Sequence, residues 1–282
     1  MLEFAGKTAV ITGGGSGIGR GMAIAFAREG MNVVVADVEL DAAEAVAQEV
    51  KALDARSLAV QCDVAGLESV RSLAGRATAE FGSVEVLCNN AGVSIGRRGM
   101  YATHEDWQWV MGVNLWGVIH GTEAFLPGML ASGNDCHIVN TSSMNGIVPS
   151  ARSALYSATK YGVLGLSETL ANELAGTKVG ISILCPAAVT TRIMESERNR
   201  PAGLLAPEPP PVPHAVSSTF DLSPALDPVS VGELVLLGIR RNQLHIFTDQ
   251  KVRALIEARH QRMLSEFDVL AEWEQSRASA TN

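Results

Sequence analysis

Short runs of Val, Ile, Leu and Ala alternate along the chain with longer segments of mixed apolar and polar residues. The runs KTAVIT (7–12), NVVVAD (32–37), SLAVQCD (57–63), VEVLCNN (84–90), CHIVNTSS (136–143), VGISILCP (179–186) and QLHIFTD (243–249) read as strands. Segments 17–29, 40–53, 67–81, two stretches ending near residue 133, 154–175 and 231–239 read as helices. Strands of nearly continuous aliphatic residues are buried on both faces, which marks a parallel sheet covered by helices. Repeated βα units with right-handed crossovers then build a doubly wound α/β sheet. No repeat of 20–50 residues points to a solenoid.

One stretch breaks the alternation. RPAGLLAPEPPPVPHAVSS, Arg200 to Ser218, is proline-rich and unsuited to regular structure. The chain beyond it offers only a helix, a strand and a terminal helix, which complete a sheet better than they build a second core. The reading is therefore one domain over 1–282, with 192–226 as a substrate loop or lid; an interdomain linker is the alternative. The terminal helix, over 250–275, carries Val252, Leu255, Ile256, Met263, Phe267 and Leu270 at helical spacing. Such a stripe suits packing on its own domain or on a neighbouring subunit.

Of the 282 residues, 47% are hydrophobic and 18% charged, enough to bury a substantial core. A net charge of −8 without a long basic run argues against nucleic acid as a partner. MLEFAGKTAVITGG lacks the basic and long apolar regions of a signal peptide, and no apolar run is long enough to span a bilayer. The expectation is a soluble, cytoplasmic protein with no membrane partner. Cys62, Cys88, Cys136 and Cys185 form no C-x-x-C pair and read as small buried hydrophobes; the six histidines lie far apart, so no metal site is expected.

Between the first strand and the next helix stands TGGGSGIG, Thr12 to Gly19. It does not match G-x-G-x-x-G; Gly13, Gly17 and Gly19 give G-x-x-x-G-x-G instead. Glycines still permit close backbone approach, and the helix N-terminus offers free N–H groups to a pyrophosphate. Asp37 ends the second strand about 20 residues on, where a carboxylate accepts from the adenosine ribose hydroxyls. It repels a 2′-phosphate, and the flanking VVVADVEL holds no Arg or Lys, so NAD is favoured over NADP. In YSATK, Tyr156 and Lys160 lie four apart on one helical face. An ammonium beside a phenol lowers its pKa from about 10 and makes it a usable acid or base.

Together these motifs resemble the short-chain dehydrogenase/reductase family. Thr12-Gly13-x-x-x-Gly17-x-Gly19 is similar to its cofactor loop, and Asn89-Asn90-Ala91-Gly92 to the segment after its fourth strand. Asn114, Ser143, Tyr156 and Lys160 match its catalytic tetrad in order and spacing, and the resemblance runs from Gly6 to about Thr248. It implies a single Rossmann-type domain with a seven-stranded, mostly parallel sheet of order 3-2-1-4-5-6-7. It also implies that Tyr156 exchanges a proton with the substrate oxygen while hydride moves to or from nicotinamide C4. Ser143 bonds that oxygen, and is preferred to Ser142 because of its thirteen-residue offset from Tyr156. Lys160 binds the nicotinamide ribose and tunes Tyr156, and Asn114 holds a water that relays protons. Gly13, Ser16, Gly17, Ile18 and Gly19 are the implied pyrophosphate loop, and Asp37, Val38, Asp63 and Val64 the adenosine side. Asn90, Ala91 and Gly92 pack along the cofactor, with Pro186, Val189 and Thr191 near the carboxamide. The family commonly has Pro-Gly-x-Val-x-Thr there, where this chain has Pro186-Ala187-Ala188-Val189-Thr190-Thr191. Ala187 at positive φ would be strained, so a β-like loop is expected.

The implied substrate walls are Ser94 to Arg98, Met144 to Val148, Arg152, and the loop from Ile193 onward. Ile95, Met144, Ile147, Val148, Ile193 and Met194 make them mainly apolar, which suits a hydrophobic secondary alcohol or ketone touching Ser143, Met144, Val148, Tyr156 and Met194. EDWQWVMGVNLWGVIHGTEAFLPGMLASG (105–133) is similar to a bacterial subgroup that oxidises benzylic alcohols of lignin-type aryl ethers. One alternative is a 3-oxoacyl carrier-protein reductase, which Arg97 and Arg98 would suit and Asp37 opposes. Another, of a different class, is a catalytically silent NAD-binding sensor or scaffold, which an intact tetrad opposes. The resemblance also implies a homo-oligomer, tetramer or dimer, built on the two long helices flanking the fifth strand.

Overall fold

A computed structural model of the chain describes residues 1, 3–95, 101–151, 153–206 and 224–280. The expectations for Arg97, Arg98, Arg152 and most of the proline-rich stretch fall outside these residues. Seven strands form: β1 (Thr8–Thr12), β2 (Asn32–Asp37), β3 (Ser57–Gln61), β4 (Val86–Asn89), β5 (Cys136–Thr141), β6 (Val179–Cys185) and β7 (His245–Phe247). They make one sheet of order β3-β2-β1-β4-β5-β6-β7, parallel at every pairing. The helices are α1 (Gly17–Arg28), α2 (Leu40–Lys51), α3 (Leu67–Phe81), α4 (His104–Met111), α5 (Gly117–Ser132), α6 (Ala154–Glu173), α7 (Pro228–Arg240) and α8 (Val252–Ala280).

Period-two alternation within the strands divides their side chains between two cores. On one face Ile11, Val33 and Val35 pack with Phe26 of α1, Val46 of α2 and Val235 of α7. On the other, the adjacent Val10 and Val34 pack with Leu73 of α3, Phe125 of α5 and Ile138 of β5. The chain runs outward through β2 and β3, then returns to place β4 beside β1. That reversal opens a crevice at the carboxyl ends of the strands, where the loops after β1, β2, β4, β5 and β6 converge.

Two elements depart from the expected outline. Between α4 and α5, Gly112–Trp116 forms a π turn in which Gly117 N–H donates to Gly112 O. The terminal helix is longer than expected, and it does not lie on its own domain: Val252 is buried, yet every residue from His260 to Ser279 is exposed.

Beneath the sheet's right half, His137 of β5 is fully buried with Nε2 2.8 Å from Ser182 Oγ on β6. Desolvation lowers its pKa from 6.5 to about 3, so it folds neutral. The unfolded chain takes up a proton below about pH 6.5 while the folded one does not, and stability falls from there towards pH 3. The histidine's share of that loss is about 2 kcal/mol at pH 5. Urea unfolding should lose that much less stability between pH 7 and 5 in His137→Gln than in the parent chain; equal losses would exclude the histidine as the cause.

Candidate active site

The crevice holds a cavity of about 790 Å³ bordered by Gly13, Ser16, Gly17, Ile18, Asp37 and Val38 at one end. Asp63, Val64, Asn90, Ala91 and Gly92 continue the wall towards Ser143, Tyr156 and Lys160, opposite Pro186, Val189 and Thr191. Gly19 and Asn114 lie just behind this surface, both buried.

The glycine loop is shaped by contacts that leave no room for a side chain at Gly13, Gly14, Gly15, Gly17 and Gly19. Gly13 has φ +62°, and a Cβ there would come 2.8 Å from Ala91 Cα. A Cβ on Gly19 would overlap the Gly13 carbonyl. Thr12 fastens the loop: its hydroxyl accepts from Asn90 N–H at 2.9 Å and Ala91 N–H at 3.1 Å. The Asn90 amide in turn donates to Thr12 O (3.0 Å) and Gly13 O (3.3 Å). The Asp37 carboxylate is fixed by Gly15 N–H (2.9 Å) and Glu39 N–H (3.0 Å), leaving further lone pairs towards the cavity it borders. Asp63 is held likewise by Ala65 N–H at 3.0 Å.

The helical spacing in α6 brings Tyr156 and Lys160 together, with Lys160 Nζ 5.6 Å from the phenol ring centroid. Ser143, after β5, accepts from Asn145 N–H at 3.1 Å and hydrogen-bonds Tyr156. Ser142 instead donates to Lys160 O at 2.8 Å, away from the phenol. Burial pushes Tyr156 up to about 12, against the opposing pull of the Ser143 bond, and lowers Lys160 to about 8. The expected lowering of the phenol by the ammonium is therefore not what dominates. Lys160 Nζ donates to Thr141 O at 2.8 Å, and desolvation outweighs charge.

Asn114 sits in the π turn with both amide hydrogens committed, to Val93 O (3.0 Å) and Thr159 Oγ1 (3.2 Å). Its Oδ1 accepts from Val93 N–H at 2.8 Å. The side chain thus pins the strand-β4 loop beside Lys160 and could offer a water only an acceptor. Ala187 does not take positive φ, which among described non-glycine residues belongs to Asp54 and Asn242. Its N–H donates to Thr248 Oγ1 at 2.9 Å, so the methyl replaces a glycine hydrogen without backbone strain.

The structure revises the outer wall. Met144 is buried and Val148 half-buried, and neither borders the cavity, because residues 144–148 turn back to bond Pro186 O and each other. Met194 does border it. The wall also includes Gln108, Trp109 and Val113, from the 105–133 segment but not among the expected substrate contacts, and Leu204 of the loop after Ile193. The segment Ile193–Leu204 crosses the cavity mouth in two 3₁₀ stretches. Near its middle, Arg198 and Asn199 donate to Glu39 at 2.9 and 3.1 Å, and the arginine holds that carboxyl below its ordinary pKa. The next residue, Arg200, meets Asp106 at 2.6 Å, with side chains only 3% and 0% exposed. The Arg200 guanidinium also lies 4.5 Å over the Trp109 ring.

Comparison with known proteins agrees with this geometry. The sequence model of the short chain dehydrogenases matches residues 7–202. A C alpha-dehydrogenase of Sphingobium sp. strain SYK-6 is 33% identical over 94% of this chain and 87% of its own. A 1-deoxy-11-beta-hydroxypentalenate dehydrogenase of Streptomyces exfoliatus is 38% identical over 71% of each chain. The crystal structure of a short chain dehydrogenase/reductase from Burkholderia phymatum in complex with NAD superposes with a TM-score of 0.87. It is 36% identical, over 94% of this chain and 97% of that one. The protein is thus an oxidoreductase of the class that binds a nicotinamide dinucleotide. It belongs to the short chain dehydrogenase family.

Breaking a buried ion pair costs up to about 3–5 kcal/mol where no other counter-charge remains, but Arg200 keeps the half-exposed Glu197 at 2.7 Å. Asp106→Ala should therefore loosen 193–204 by a smaller amount, and amide exchange there should accelerate at least about tenfold while β1 stays protected. Unchanged protection would mean that the pair does not anchor the segment.

Proposed function

We propose that the chain interconverts a hydrophobic secondary alcohol and its ketone with NAD(H), using Tyr156 as the acid/base. The observation that carries this reading is the convergence of Ser143, Tyr156, Lys160, the glycine loop and Asp37 on one cavity. The residues present fit a dinucleotide. Gly13 and Gly19 keep a cradle free of side chains at the head of α1, and Asp37 borders the cavity as a fixed acceptor for ribose hydroxyls. When bound, NAD supplies the hydride acceptor, and the protein supplies position and proton transfer. Ser143 fixes the substrate oxygen against the phenol. Tyr156 takes the alcohol proton, or returns it to the ketone. Lys160, lying beside the phenol in a dry site, stabilises the phenolate and reaches towards ribose. Asn114 holds the β4 loop against that lysine.

NAD is preferred to NADP in this reading because Asp37 and Glu39 crowd the ribose end with carboxylates, and Arg198 is already paired to Glu39. The substrate end is walled by Trp109, Val113, Ile193, Met194 and Leu204, with Gln108 as a polar member. An aromatic, benzylic alcohol suits that lining, and likeness to the Sphingobium C alpha-dehydrogenase supports it. The family resemblance further supports a homo-oligomer.

Absorbance at the NADH band with a panel of benzylic and aliphatic secondary alcohols tests the assignment directly; tight NAD binding without turnover on any of them would sink it. Tyr156→Phe should lower kcat by at least about 100-fold with NAD affinity nearly unchanged, and a normal rate would remove Tyr156 from the mechanism. Asp37→Ala should erode the NAD over NADP preference in kcat/KM, whereas unchanged selectivity would show that Asp37 does not read the ribose.

A further inference from the structure

One cation on the cavity border has no task in the proposed reaction. Among the described residues, the charged side chains there are Asp37, Asp63, Lys160, Arg192 and Arg198. Lys160 is spent beside the phenol, with Nζ bonded to Thr141 O. Arg198 is committed through its whole fork: Nε and Nη2 donate to Glu39 at 3.2 and 2.9 Å, and Nη1 to the carbonyls of Arg192 (3.3 Å) and Glu195 (3.0 Å). Arg192 differs. It donates only through Nε, to Glu195 at 3.1 Å, and neither of its terminal nitrogens has a partner among the described residues. That pair is three residues apart with side chains 50% and 63% exposed, a contact of about 0–1 kcal/mol that exchanges readily.

The root of Arg192 is fixed where phosphate would lie. Thr191 stands against the head of α1, since a Cβ on Gly17 would come 2.9 Å from its Cγ2. Towards the ribose end, the Glu39 carboxyl is held low chiefly by Arg198 and in smaller part by the charge of Arg192. Arg192 therefore stands between the helix head and the ribose end, its carbonyl pinned by Arg198 and its tip uncommitted. A dinucleotide's pyrophosphate is dianionic, and a helix N-terminus offers only about half a positive charge. A guanidinium with two open terminal nitrogens presents the planar fork that phosphate oxygens accept in pairs.

We propose that Arg192 is a further cofactor-binding residue, whose guanidinium leaves Glu195 to clamp the pyrophosphate from the side of the cleft opposite the head of α1. The assignment rests on the dinucleotide reading of the site. Calorimetric titration with ADP-ribose, which carries the pyrophosphate but cannot accept hydride, tests it without turnover. Arg192→Gln should weaken ADP-ribose at least about tenfold, the scale of one hydrogen bond between charged groups. Adenosine, measured by competition against ADP-ribose, should bind the parent and the variant equally. The parent's affinity for ADP-ribose should also fall more steeply with added salt than the variant's, because a charge pair is screened. Equal ADP-ribose affinity, or equal salt dependence, overturns the role of Arg192. Loss of adenosine affinity by the same factor moves the residue to the adenosine end and overturns the pyrophosphate clamp. A parent chain that binds neither ADP-ribose nor NAD overturns the dinucleotide reading itself, and the clamp with it.

Discussion

The crevice depends on a single hydroxyl, that of Thr12, which joins the turn after β1 to the turn after β4. Two backbone N–H groups converge on it, and the Asn90 side chain answers by bonding two carbonyls of the glycine loop. The same Asn90 accepts from Thr141 Oγ1 at 3.3 Å, so β5 is tied to the same knot. Leaving any of these groups unpaired in so enclosed a place would carry the full desolvation penalty. The loop cannot relax independently of its neighbours, and the spacing of its glycines follows from what it must pass: Ala91 on one side and its own carbonyl on the other.

Burial that builds the cavity also sets its electrostatics. Lys160 and Tyr156 are both pressed towards their neutral forms, the lysine with a carbonyl for a partner and the phenol with a serine. An arriving polar substrate or ribose hydroxyl therefore meets groups whose protonation responds to small changes in surroundings. The mouth segment is governed by the same physics. Its ion pair with Asp106 is dry, whereas its contacts with Glu39 are partly wet and correspondingly weaker.

Much of this was legible in the sequence because it is local. Strand runs, the glycine turn, Asp37 at the end of β2, and the four-residue spacing of Tyr156 and Lys160 each sit within one element. Their meaning follows from period and neighbouring residues. What was not legible couples distant positions. Arg200 and Asp106 are 94 residues apart, and Glu39 and Arg198 are 159 apart, with no spacing rule to join them. The phenol's high pKa, the displacement of Met144 and Val148 from the wall, and the commitment of both Asn114 amide hydrogens also depend on tertiary enclosure. Likewise, a stripe at helical spacing in α8 says that something covers it, but not that its own domain stands aside.

The π turn at Gly112–Trp116 carries one residue more than an α-helix would place there. That residue advances the phase between α4 and α5 by about 100°. It lets α5 keep Phe125 and Met129 against the sheet while α4 turns Gln108 and Trp109 towards the cleft and Asn114 reaches Val93. The turn therefore acts as gearing between two rigid shafts. Chain length at this point sets the aim of a whole wall, so a one-residue deletion here re-points side chains that are themselves unchanged.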